Sequence, residues 1–283
     1  MPEPPSPGGD DREALVAPRF LAGAHCDTDA PLDLLIKRRQ WPHHDFEEDG
    51  SLFISSPCHR IRVAFRGDYL QPWQIAASEE AMEAPSWLAD FGGSTPPEIV
   101  EAFVETLADN LDNTPERVFA SPNRYVETAI APLRQAGWEV RFTGTHTTVT
   151  EPSGLAGLNI KQFPGPRSEE IDALDTTFTI WAGPRDGDHD ARWEARFTRD
   201  TPLQLVAAAT RSLITGKPVM RYPADIPRDC LPYVTVLPTP APLDLGRADA
   251  ARATTRTGPI ASAPATTATS TAPHSTTTPA RTR

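Results

Sequence analysis

The chain is poor in the features that mark secreted or membrane proteins. Its 283 residues include only three cysteines, at positions 26, 58 and 230, and no Cys-x-x-Cys pair. Such spacing is typical of free thiols in a reducing compartment. No predominantly apolar run approaches the roughly 20 residues of a membrane span, and the N-terminus lacks the basic start and apolar core of a signal peptide. We therefore expect a soluble, cytoplasmic protein without a membrane partner.

Positive charge is scarce as well. The formal net charge is −11, and lysine occurs only at positions 37, 161 and 217. A body this acidic repels nucleic acid at long range, although a local basic patch overrides the mean. Beyond residue 250 the chain consists almost wholly of Thr, Ala, Ser, Pro and Arg. This composition predicts a disordered tail over 250–283, as at residues 1–13, with an extended segment over 218–249.

Motifs for catalysis and for cofactors are also lacking. There is no glycine-rich phosphate loop, and the histidines and cysteines lack the close pairs that zinc sites use. Cys58 and His59 are neighbours, and on a strand their side chains would point to opposite faces. The acidic run 45–49 is more typical of a solvated loop than of a catalytic pair. We therefore predict no catalytic, cofactor-binding or metal-binding residues, and a protein that is not an enzyme.

A long internal repeat is the most informative feature of the sequence. The segment Trp87–Val100 recurs as Trp193–Val206, with Trp, Ala, Phe, Thr, Pro and Val all shifted by 106 positions, from 87 to 193. Upstream, residues 61, 63 and 65 match residues 156, 158 and 160 at a shift of 95. A period near 100 residues suits a small domain rather than a solenoid. We predict two copies, at residues 14–112 and 117–217.

Each copy is predicted to be α+β, a four-stranded antiparallel sheet followed by a helix packed on one face. Ile61, Val63 and Phe65 alternate with polar residues, as in a half-buried strand. The order Thr95-Pro-Pro-Glu98 is that of a helix capping box, and Thr201 begins a similar sequence in the second copy. The paired tryptophans at 87 and 193 are expected in the core rather than on a stacking platform.

These elements resemble a known family. Ser56-Pro57, an alternating strand, the strand at Trp73, the Trp87-x-Ala-x-Phe91 strand and the Thr95-Pro-x-Glu helix are similar to the actinobacterial SPDY domain, a domain of unknown function usually found in tandem. The resemblance covers residues 14–217. Cys58 replaces the acid that follows Ser-Pro in the family, and Glu151-Pro-Ser153 replaces the whole motif in the second copy. Members linked to mobile elements imply a DNA-related partner.

One basic surface is the candidate site. Arg60, Arg62 and Arg66 share the outward face of one strand, and Lys37, Arg38 and Arg39 end the preceding helix. The matching positions of the second copy are Leu155, Gly157 and Lys161, so the patch belongs to the first copy alone.

Arginine favours carboxylate and phosphate partners, whereas a solvated sheet face covered by arginine stems is the alternative interpretation of these residues. We predict that an acidic protein segment or a nucleic-acid backbone docks here. The chain would then be a non-enzymatic interaction protein or, alternatively, a nucleic-acid-binding accessory protein. The oligomeric state is left open.

Overall fold

The computed structural model describes residues 12–24, 29–46, 48, 50–66, 72–119, 125–173, 175–187 and 191–238. These described residues all belong to one compact unit. The disorder predicted for 250–283 and for most of 1–13 concerns residues outside the described ranges.

The described residues form thirteen strands and six α-helices. The strands are β1 (Ala14–Ala17), β2 (His43–Phe46), β3 (Ser51–Ser55), β4 (Ile61–Phe65), β5 (Trp73–Ala77), β6 (Trp87–Phe91), β7 (Glu139–Thr143), β8 (His146–Thr150), β9 (Ala156–Lys161), β10 (Phe178–Ala182), β11 (Trp193–Phe197), β12 (Val219–Arg221) and β13 (Thr235–Pro238). The helices are α1 (Asp29–Asp33), α2 (Pro97–Asn113), α3 (Glu116–Phe119), α4 (Glu127–Gln135), α5 (Arg167–Ala173) and α6 (Leu203–Leu213).

The chain is α+β with one large antiparallel sheet, as the alternation predicts. Its ten strands lie in the order β2-β3-β4-β5-β6-β11-β10-β9-β8-β7, so each half of the chain contributes five strands rather than the four expected. The additional strands are the two edges, β2 and β7, whose side chains are almost all exposed. Apolar alternation is lacking in β2, whereas Val140 and Phe142 alternate with polar residues in β7. A second, three-stranded sheet pairs β1 with β12 and β13.

The two halves meet at the centre of the large sheet, where β6 pairs with β11. Asp90 lies opposite Arg196, Ala89 opposite Phe197, and Phe91 opposite Ala195. Asp90 therefore faces the residue that matches it under the shift of 106, and Ala89 and Phe91 each face the residue that matches the other. A local two-fold axis passes through the Asp90–Arg196 pair.

The core lies between one face of this sheet and a layer of helices. Phe103 of α2 is 5.4 Å from Phe91 and 5.6 Å from Phe197, measured between ring centroids. Trp87 and Trp193 are both buried, as expected. The indole of Trp87 donates to the carbonyl of Val118 (3.0 Å), and that of Trp193 donates to the carbonyl of Phe20 (2.9 Å). Each tryptophan therefore anchors the segment that leads into the other half.

The predicted threonine caps are wrong. Helix α2 begins at Pro97 with Pro96 in the cap position, and α6 begins at Leu203 with Pro202 in the cap position, both without a side-chain cap. The Glu98 carboxylate, which a capping box needs, binds Arg221 instead. Thr95 and Thr201 thus precede the actual cap residues, Pro96 and Pro202, by one position.

We expect the two threonines to respond differently to alanine substitution. The buried hydroxyl of Thr95 has no hydrogen-bond partner among the described residues, whereas that of Thr201 donates to the carbonyl of Leu88 at 3.3 Å. Thr201→Ala should therefore lower the free energy of unfolding by about 1 kcal/mol, and Thr95→Ala should leave it unchanged or slightly raise it. Urea denaturation of both variants measures the free energies of unfolding. Equal losses of stability in the two variants would contradict the expected difference between the threonines.

Candidate functional site: the open face of the sheet

The sheet face opposite α2 and α6 is polar and largely open. In the strand register, one side chain from each strand forms a row across it. From β7 to β2 the row is Arg141, Thr148, Asn159, Thr179, Arg196, Asp90, Gln74, Ala64, Phe53 and His44. All but Asp90 are exposed or half-buried. We call this surface the open face.

A basic pocket lies on the second-half end of the open face. It encloses about 320 Å³. Its lining residues are Arg141, Thr148, Thr150, Gly154, Asn159, Trp181, Arg185 and Arg192. The described lining thus offers three guanidinium groups and no carboxylate. We call it the arginine pocket.

A glycine in β9 makes room for this pocket. Gly157 pairs with Trp181 of β10, and a Cβ atom at position 157 would lie 2.6 Å from the indole ring. The ring therefore lies close against the backbone of β9, as an interior glycine of a strand allows. The Arg192 guanidinium lies 4.7 Å from the centre of the same ring, in a cation–π contact.

The first half fills the matching position differently. Arg62 corresponds to Gly157 at the shift of 95, and it pairs with Ala76 rather than with a tryptophan. Its guanidinium donates to Ser78 Oγ (2.7 Å) and to the carbonyl of Glu83 (2.9 Å). Arg62 is therefore held within its own half of the sheet.

The other two arginines of the predicted strand surface flank β4. Arg60 lies in the turn before β4, and its guanidinium carbon is 3.5 Å from the centre of the Phe119 ring, against α3. Arg66 follows the end of β4, where its backbone N–H donates to Pro72 (2.8 Å). The expectation that all three share an outward face is wrong for Arg60, because the strand begins only at Ile61.

The basic run Lys37–Arg39 lies on the helical side. Arg39 binds Asp109 and Asp112 of α2, and Lys37 binds Asp33 one turn earlier. Burial raises the pKa of Glu101, with Glu105 adding to the rise and nearby Arg38 opposing it. Because α2 covers the other face of the sheet, this run does not extend the surface that contains Arg62.

Asp90 is the exception in the polar row. Its side chain is 1% exposed, and neither carboxylate oxygen has a hydrogen-bond partner among the described residues. The facing Arg196 donates instead to Glu194, at 3.1 and 3.3 Å. Burial raises the pKa of Asp90 to about 7, opposed by Arg196 and reinforced by Glu194. This carboxyl therefore titrates near neutral pH and is protonated in mildly acidic solution.

The remaining reactive side chains are dispersed. Cys230 is buried, and this burial, with Asp229 adding to it, raises the pKa of its thiol to about 11. Cys58 is exposed, with its sulfur 3.3 Å from Ser56 Oγ. Within the described ranges, no three His, Cys, Asp or Glu side chains come together as metal ligands would, and no helix there could cross a membrane.

Two hairpin turns mark equivalent places in the halves. The backbone N–H of Ser56 donates to the carbonyl of Ile61 across the turn from β3 to β4, and the Ser56 hydroxyl accepts the Ile61 N–H. The turn from β8 to β9 is built in the same way, since the N–H of Glu151 donates to Ala156. Both turns contain a residue with positive φ, 57° at His59 and 77° at Gly154.

A protein-family model matches the chain over two segments, and each segment contains one of these turns. Residues 55–111 and 150–219 match the SPDY family model, a domain of unknown function (DUF317). Each matched segment starts where a hairpin turn begins and includes the helix α2 or α6. No curated protein and no solved structure gives a significant match. In this chain the Ser-Pro sequence of the SPDY motif is part of a turn, where Ser56 binds backbone.

Proposed function

We propose that the chain is a non-enzymatic binding protein, built from two copies of one SPDY-type α+β unit, that takes an anionic group of its partner into the arginine pocket. The main observation that supports this proposal is the arginine pocket, where three guanidinium groups line one cavity of an otherwise acidic chain.

The pocket lining favours binding over catalysis. Arginine, asparagine, threonine and tryptophan side chains offer hydrogen-bond donors, and the described lining contains no His, Cys, Asp or Glu that could act as a general base or nucleophile. The guanidinium fork matches carboxylate and phosphate oxygens in pairs.

The partner is still acidic, as predicted from the sequence, but it binds at the arginine pocket and not at the basic residues of the first half. Arg39, Arg60 and Arg62 already have acidic, aromatic or hydrogen-bonding neighbours. Among the described residues Arg185 forms no salt bridge, and Arg192 contacts only an aromatic ring. These two side chains are therefore better placed to receive an external anion.

Pyrophosphate is a suitable probe for this site. We expect it to raise the melting temperature of the wild type at low salt, because a ligand at 100 times its Kd stabilises the folded state by about 2.7 kcal/mol. Arg185→Gln/Arg192→Gln should weaken binding at least tenfold, as measured by calorimetry.

The matched control removes the same charge elsewhere. Arg117 and Arg134 are exposed on helices away from the open face. Arg117→Gln/Arg134→Gln should bind pyrophosphate like the wild type. No binding by the wild type, or equal weakening in both double variants, would contradict the proposal.

A further inference from the structure

We infer that the natural ligand is a single-stranded nucleic acid that crosses the open face from the arginine pocket to an aromatic cluster at the opposite end. This inference rests on the proposed function and names its ligand class.

The arginine pocket provides more than positive charge. The stacked pair of Trp181 and Arg192 presents flat groups of the kind on which bases stack, and the Asn159 amide both donates and accepts, as the edge of a base requires. The cavity of about 320 Å³ is at the lower end of the range for small ligands, which suits one nucleotide unit. Arg185 remains for the phosphates, and Arg141 can reach one by exchanging its hydrogen bond to Glu139 (3.0 Å).

The aromatic cluster lies on β2 and β3. His44 and Phe46 are in edge contact, with ring centroids 4.6 Å apart, and Phe53 pairs with His44 across the strands. Phe46 is 47% exposed and Phe53 is 38% exposed. Exposed aromatic rings on a polar sheet face are the sequence-tolerant stacking groups of single-strand binders.

Polar side chains connect these two ends, and the one arginine between them, Arg196, donates to Glu194. Gln74 and Thr179 lie in the row on either side of the central Asp90–Arg196 pair. Six strand steps separate β9 from β3, about 29 Å at the usual spacing of strands. Asp90 is 1% exposed and faces Arg196 across the strands, so its carboxyl lies below the surface that a phosphate chain would contact.

An acidic peptide fits the same surface less well. It would satisfy the arginines, but it would leave the exposed rings of Phe46 and Phe53 without flat partners. A duplex hides its bases from stacking, and the net charge of −11 opposes the broad phosphate contact that duplex binding needs. The combination of few arginines and several exposed rings therefore favours a single strand.

Fluorescence anisotropy with labelled 12-residue probes of thymidylate, uridylate and glutamate tests the inference on the full chain. We expect at least one of the oligonucleotides to bind in low salt, and the glutamate peptide to bind more weakly. Three neutralised phosphates predict a slope of log K against log salt of about −2. Arg185→Gln/Arg192→Gln should remove binding, with Arg117→Gln/Arg134→Gln as the control of equal charge.

A second pair of variants tests the crossing path. Phe53→Ser should weaken oligonucleotide binding about tenfold, which corresponds to about 1.4 kcal/mol. Phe142→Ser is the matched control, since Phe142 is 76% exposed and alternates with Arg141, so that it faces away from the open face. Melting temperatures of both variants confirm folding.

The outcomes separate the two proposals. If pyrophosphate or the glutamate peptide binds and neither oligonucleotide does, the nucleic-acid inference is overturned while the proposed function stands. If no anion binds, both are overturned. Oligonucleotide binding that survives Phe53→Ser overturns the path across the sheet.

Discussion

Replacing Asp90 by asparagine should stabilise the protein increasingly as the pH rises. The reason is the raised pKa of Asp90, about 7, against 3.8 for an ordinary aspartate. Between these values the folded state keeps a proton that the unfolded state has released. The stability that the protonated carboxyl contributes is fully present below about pH 4, is lost as the pH rises to about 7, and stays constant above that.

The expected effect is large for a single substitution. Each unit of pKa difference corresponds to about 1.4 kcal/mol, so the advantage of Asp90→Asn should grow by on the order of 3 kcal/mol between pH 5 and pH 8. Asparagine has nearly the same shape but cannot ionise, so the variant removes this pH dependence without opening a cavity.

Urea denaturation of both proteins at pH 5, 6, 7 and 8 measures the growing difference. Other carboxylates titrate in wild type and variant alike, so the difference isolates position 90. Asp172→Asn, at an exposed position of α5, is the control and should show no such trend. A constant difference between Asp90→Asn and the wild type would mean that Asp90 is ionised in the folded protein.

Replacing Arg221 by methionine should destabilise the protein by about 3 to 5 kcal/mol, the usual cost of breaking a buried ion pair. The side chain of Arg221 is 3% exposed, and its guanidinium donates to both carboxylate oxygens of Glu98, at 2.9 and 2.7 Å. It also donates to the carbonyl of Gly23 (3.3 Å). The substitution leaves Glu98 half-buried and without its partner.

A second ion pair provides the comparison. Arg39 binds Asp109 and Asp112, but these carboxylates are about half exposed. Arg39→Met should therefore cost less than about 1 kcal/mol. Adding Glu98→Gln to Arg221→Met should recover part of the loss, because no charge then remains buried. Similar losses for Arg39→Met and Arg221→Met in urea denaturation would refute the distinction.

Local patterns in the sequence predict local structure well. The alternation at Ile61, Val63 and Phe65 yields a strand, and the apolar stripe from Ile99 to Leu107 yields the buried side of α2. The central tryptophans are buried because large aromatic side chains dominate core packing. These features depend on period and side-chain size, which a single segment contains.

Features that depend on distant segments are not predictable in this way. The edge strand with His43 and His44 has no apolar alternation. The Glu98 carboxylate, which was expected to complete a capping box, binds Arg221, 123 positions away. The arginine pocket joins side chains from separate strands and turns, so no short motif contains it. Gly157 in the middle of a strand pattern was the one available signal, since such a glycine marks a close approach.

The pairing of Asp90 with Arg196 has a consequence for how the sequence of such a sheet can evolve. In a homodimer of two identical half-chains joined through this strand, the residue on the axis would meet its own copy, and either two aspartates or two arginines would repel. Covalent linkage of the halves removes that constraint, because each position then mutates alone. Opposite charges on the axis are therefore open only to the linked form.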